Sequence, residues 1–89
     1  MKQVQVEISN RLGLHARAAA RFVHVANQYK ARVSVAKDDY RVDGKSILGL
    51  LTLSARRGSS LSLHAEGEDA EAVLAELATL VRGGFGEVD

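Results

Sequence analysis

The chain has 89 residues, a net charge of +1, 46% hydrophobic and 26% charged residues, and no cysteine. That length accommodates one domain spanning residues 1–89 and leaves no room for a second core, while the near-neutral charge argues against general affinity for nucleic acid or anionic membranes. Disulfides and thiolate metal sites are excluded by the lack of cysteine. Met1-Lys2-Gln3-Val4 lacks the apolar core of a signal peptide, and no apolar run approaches the roughly 18 residues of a membrane span, so a cytoplasmic location without membrane insertion is expected.

Val4, Val6 and Ile8 alternate with Gln3, Gln5 and Glu7, the period-two pattern of a strand with one buried face. Ser9 to Leu14 reads as a loop containing Gly13. From Ala16 onward the spacing of Ala19, Phe22, Val23, Ala26 and Tyr29 predicts a helix ending near Gln28 to Lys30, with Arg17, Arg21 and His24 on another face. Ala31, Val33 and Val35 mark a second strand. Lys37-Asp38-Asp39 turns into a short third strand, Tyr40 to Val42.

Ser46 precedes the apolar segment from Ile47 to Leu53, and its fitness as an N-cap favours a short helix over a buried strand, against a cost of about 1 kcal/mol for Gly49. Leu61, Leu63 and Ala65 alternate with Ser62, His64 and Glu66 in a fourth strand, where His64 belongs to the solvated phase. The last helix carries the stripe Ala70, Val73, Leu74, Leu77, Leu80 and Val81 and stops at Gly83-Gly84; Phe85 to Asp89 reads as a tail. The order β-α-β-β-α-β-α with one-sided strands predicts an α+β fold: a four-stranded, mostly antiparallel sheet with three helices on one face.

One stretch stands out. In Asn10-Arg11-Leu12-Gly13-Leu14-His15-Ala16-Arg17, no Ser, Thr, Asp or Asn caps the first helix, and His15 takes the cap position instead. First-turn N–H groups lack intrahelical partners and lie at the positive end of the helix dipole, so this place favours an anion. A histidine here is well sited to carry a phosphoryl group, with the helix start and Arg17 disfavouring further positive charge on the ring.

Gly13-Leu14-His15-Ala16-Arg17, followed by Asp43-Gly44-Lys45-Ser46-Ile47-Leu48-Gly49, resembles the HPr family, the histidine-containing phosphocarriers of the bacterial phosphoenolpyruvate-dependent phosphotransferase system. The resemblance covers essentially the whole chain. It implies an open-faced β-sandwich in which His15 accepts a phosphoryl group from enzyme I and passes it to enzyme IIA during sugar uptake, assisted by Arg17. The protein would then be a phosphoryl relay with a phosphohistidine intermediate rather than an independent enzyme. Ser46 matches the serine that, in many relatives, an ATP-dependent kinase/phosphorylase modifies to regulate partner choice; a capping serine is the bland alternative. Ala20, His24, Ile47, Leu48 and Leu51 match a partner-docking patch. The resemblance implies a monomer, no cofactor and no metal.

One departure from the pattern concerns Ala18, which stands where the family usually has proline. Alanine relaxes the first turn and adds a backbone N–H near the phosphate position. Two other readings compete with sugar uptake: a nitrogen-branch regulatory carrier, and an interaction module of the same fold that does not use His15. An RNA-binding sheet is a poor third, because the only aromatics are Phe22, Tyr29, Tyr40 and Phe85.

Overall fold

A computed structural model of the protein describes residues 2–87; Met1 and the last two residues of the expected tail, Val88 and Asp89, lie outside it. The elements are β1 (Lys2–Glu7), α1 (Ala16–Ala26), β2 (Arg32–Lys37), β3 (Tyr40–Asp43), α2 (Ile47–Thr52), β4 (Ser60–Glu66), α3 (Ala70–Arg82) and a final 3-10 turn, Gly84–Gly86. The strands form one antiparallel sheet in the order β1-β4-β2-β3. β4, the last strand in sequence, is threaded between β1 and β2, so the two β-α-β units interlock.

Alternation puts one phase of each strand into the core. Val6, Val33, Val35, Leu61, Leu63 and Ala65 are buried against Ala19, Phe22, Leu50, Val73, Leu77 and Val81 from the helices. Across the sheet Leu63 pairs with Val4 on one side and Val35 on the other, which locks the apolar phases in register. α3 packs over β1 and β4, and α1 contacts both other helices.

α1 stops at Ala26, short of the expected Gln28 to Lys30. Asn27 caps it by donating its N–H to the Val23 carbonyl, and the next N–H groups form tight turns. Beyond them the backbone N–H groups of Lys30 and Ala31 both donate to the Asp69 carboxylate, at 2.9 and 2.8 Å. A side chain from the start of α3 thus draws this segment out of the helix.

Two further expectations are corrected. His64 is 9% exposed rather than solvated. It lies on a central strand between Gln3 and Ser34, and Arg41 from β3 reaches over it, with Nη2 at 3.4 Å from its Nε2. Burial, and then the Arg41 charge, hold its pKa below the ordinary 6.5. Phe85, expected in a tail, is 1% exposed and belongs to the core. It adopts a left-handed backbone with φ of 58°, and Gly84 and Gly86 on either side also have positive φ. Burial of the ring offsets a strain of about 1–3 kcal/mol.

Candidate functional site

Gly13 delivers the histidine to the helix start. Its φ of +69° lies in the left-handed region, and the Leu14 N–H donates to the Ala55 carbonyl at 2.9 Å, binding this loop to the segment after α2. The buried Asn10 side chain donates to the Gly13 carbonyl at 2.8 Å and fixes the turn from inside.

His15 is the N-cap of α1, as the sequence predicts. Its backbone is extended, and its Nδ1 accepts the Arg17 backbone N–H at 3.2 Å. The Ala19 N–H closes onto the His15 carbonyl at 2.8 Å. An imidazole therefore does the work that serine or aspartate usually does, and Nδ1 lies directly over the first turn. Ala18 follows with its methyl fully buried.

A groove of about 340 Å³ opens beside the ring, lined by Arg11, Leu12, His15, Arg17, Arg21 and Glu87. Three arginines in so small a space make it attractive to an anion. The Arg17 side chain is exposed, whereas Arg21 Nη1 donates to the Phe85 carbonyl at 2.5 Å. A larger groove of about 670 Å³ lies elsewhere, among Lys30, Arg32, Arg41 and His64, and includes none of the predicted site residues. Chemistry rather than volume locates the site.

Sequence reasoning missed Glu87. Its carboxylate bonds His15 Nε2 through one oxygen and accepts the Asn10 side-chain N–H at 2.9 Å through the other. The Asn10 bond, then the His15 bond, hold the Glu87 carboxyl below its ordinary 4.5. The available signal was Phe85 itself, a lone aromatic among glycines just past a helix, which would anchor whatever follows it.

The second motif folds beside the first. Ser46 caps α2, accepting the Gly49 N–H on its hydroxyl at 3.0 Å. A β-carbon on Gly49 would approach that hydroxyl to 3.2 Å, which explains the tolerance of glycine inside so short a helix. α2 packs against α1 and turns Leu50 into the core, while Ile47 and Leu48 remain 39% and 77% exposed and Leu51 is half-buried. Ala20 and His24 are exposed on α1. Leu12, 58% exposed in the loop before His15, is an apolar residue the sequence reading left out.

Residues 2–83 match the family model described as the PTS HPr component phosphorylation site. The chain belongs to the HPr family. It is 45% identical over 87 residues to the phosphocarrier protein HPr of Neisseria meningitidis, covering 98% of each chain. With the HPr of Pseudomonas aeruginosa it shares 44% identity over 88 residues and 98% of each chain. A crystal structure of HPr from Thermoanaerobacter tengcongensis superposes with a TM-score of 0.95 at 42% identity, covering all of both chains. The predicted open-faced fold is thus the observed one, and the chain is a member of a phosphocarrier family of the phosphotransferase system. The family also includes relatives named NPr and Crh, at 37% and 42% identity. The expectation of a monomer does not extend across it, since solved relatives are described as dimers, one of them with a swapped domain.

Proposed function

We propose that this chain relays phosphoryl groups from enzyme I to enzyme IIA in the cytoplasm, in the sugar-uptake branch of the phosphotransferase system, with His15 as the acceptor. The observation that carries this reading is the placement of His15 over the first-turn N–H groups of α1, in a groove with three arginines. A phosphoryl group added to the ring meets backbone donors, the positive helix end and the exposed cation of Arg17. Exposed helix-end interactions are worth only about 0.3–1 kcal/mol each, so the phosphate is held weakly enough to be passed on.

Docking would use the exposed face beside the groove: Ala20 and His24 on α1, and Ile47, Leu48 and Leu51 on α2. Apolar residues bordered by Arg17 and Arg21 suit a partner with an acidic rim, and a small patch suits brief contacts with donor and acceptor in turn. Ser46 is half-buried at the α2 cap. Its phosphorylation would replace a neutral cap with a dianion at the edge of the same patch and alter partner choice. Kinase labelling of the wild type but not of Ser46→Ala identifies that site.

The test of the relay is incubation with phosphoenolpyruvate and catalytic enzyme I, followed by intact mass measurement before and after mild acid. One acid-labile phosphate, missing in His15→Ala, is the expected result. No phosphate with an active cognate enzyme I points to an interaction module that leaves His15 unused. Labelling only by a nitrogen-branch enzyme I moves the carrier to that branch.

A further inference from the structure

We propose that Glu87 is a positioning residue for phosphoryl acceptance, holding the His15 imidazole in the tautomer whose nucleophilic nitrogen is Nδ1. The inference rests on His15 being the acceptor. A neutral imidazole has one N–H and one free lone pair, and its two contacts here assign them. An ionised carboxylate only accepts, so the nitrogen facing Glu87, Nε2, carries the hydrogen. A backbone N–H only donates, so the nitrogen facing Arg17, Nδ1, presents the lone pair. The opposite tautomer loses both bonds at once. A ring protonated on both nitrogens keeps the first bond but sets two donors face to face at the second.

Glu87 is itself built into place. Its second oxygen accepts from Asn10, which is 3% exposed and also donates to Gly13. Two residues earlier Phe85 is buried in the core, and its carbonyl is held by Arg21. The side chains of His15 and Glu87 are 27% and 16% exposed, so the pair is shielded from the solvent screening that weakens surface contacts. The chain thus returns after 72 residues to fix one edge of the imidazole while the helix start fixes the other.

In the transfer, the Nδ1 lone pair forms the bond to phosphorus. The bond from phosphorus to the donor group of phosphorylated enzyme I breaks, and its electron pair leaves with that donor. Nε2 keeps its hydrogen throughout. Positive charge grows on the ring as the N–P bond forms, and the Glu87 carboxylate already faces the far nitrogen where that charge is shared. The phosphoryl oxygens meanwhile take over the Arg17 N–H that Nδ1 gives up.

The test uses the full chain as Glu87→Leu and Glu87→Gln. ¹⁵N NMR of the unphosphorylated protein reads the His15 tautomer, and a phosphoenolpyruvate–enzyme I assay reads the phosphorylation rate. Leucine is expected to slow phosphorylation about tenfold, as loss of a ring-orienting partner does elsewhere, and to draw the two ring ¹⁵N resonances together as tautomers mix. Glutamine keeps the shape of the tail and one acceptor oxygen but sets its amide N–H against the other donor, Asn10 or His15, so it is expected to mix the tautomers less than leucine does while losing part of the rate. An unchanged rate or unchanged resonances in the leucine variant overturn the proposal. Equal tautomer mixing in both variants assigns the effect to undocking of the tail and also overturns it. Failure of the wild type to accept phosphate from an active enzyme I defeats the relay reading instead, and the resonances of the unphosphorylated protein still report on Glu87.

Discussion

Gly13 stands so close to Ala55 that a β-carbon at position 13 would lie 2.4 Å from the Ala55 carbonyl oxygen. The same carbonyl accepts the Leu14 N–H, so the loop before His15 and the segment after α2 are drawn together at a point where no side chain fits. The first family motif is thus tied to the chain that leaves α2, the helix opened by the second motif, in addition to the packing of α1 on α2. Gly13→Ala combines left-handed strain of about 1–3 kcal/mol with a backbone clash. It is expected to lower unfolding stability by at least about 2 kcal/mol in urea titration and to reduce phosphorylation of His15 by displacing the ring. A variant with wild-type stability and rate would show that this approach is relaxed in solution.

Phe85→Ala probes the closing segment. Removing a buried phenylalanine costs about 3–5 kcal/mol in a well-packed core, and alanine at the same positive φ relieves none of the backbone strain, so a loss of about 3–5 kcal/mol is expected. The substitution also frees the carbonyl held by Arg21 and the carboxylate held against His15. Slower phosphorylation should therefore accompany the lost stability, measured by denaturation and by the enzyme I assay on the same sample. Lost stability with an unaltered rate would separate the tail from the chemistry.

The difficulty of reading this segment in the sequence has a physical basis. Strand alternation such as Val4-Val6 or Leu61-Leu63 is a local signal, repeated every second residue, and it placed three strands, while the Lys37-Asp38-Asp39 turn placed the short third one. The alanine-rich run after His15 and the cap offered by Ser46 are equally local, and both helix starts fell where expected. Asp69 holds Lys30 and Ala31, beyond the end of α1, from 39 and 38 residues away, Arg41 covers His64 from another strand, and Glu87 reaches His15 from 72 residues along the chain. Each of these depends on the assembled sheet, and no periodicity announces it. His15 and Arg17 could be singled out because their motif is contiguous; Asn10 and Glu87, which complete the surroundings of the ring, are joined only by the fold.

His64 makes stability depend on pH in a definite direction. Burial and Arg41 lower its pKa in the folded state below 6.5, so the unfolded chain binds a proton more readily than the native one. Its contribution is fully present above pH 6.5 and is lost as pH falls from there through the lower folded-state value. Denaturant titrations between about pH 7.5 and about pH 5.5 should show the wild type losing stability with a steeper slope than His64→Gln, which has no ring to protonate. Equal slopes would mean that His64 titrates normally in the folded protein. Because its groove is separate from that of His15, the substitution should leave the phosphorylation rate unchanged.

Leu48 separates docking from chemistry. It is 77% exposed, so Leu48→Asp removes almost no buried area and should change stability by less than about 0.5 kcal/mol. On the proposed docking face it would place a carboxylate against an acidic rim and withdraw an apolar contact from the centre of the patch. Truncation of a central interface residue commonly costs more than about 1 kcal/mol, and the added repulsion increases that. The KM of the variant as a substrate of enzyme I should therefore rise about tenfold with little change in kcat, since His15, Arg17 and Glu87 are untouched. A matched loss with an enzyme IIA acceptor would show that donor and acceptor share the face, as a carrier serving both in turn requires. An unchanged KM with both partners would remove α2 from the docking surface and leave the exposed Leu12, beside the His15 groove, as the apolar residue to test next.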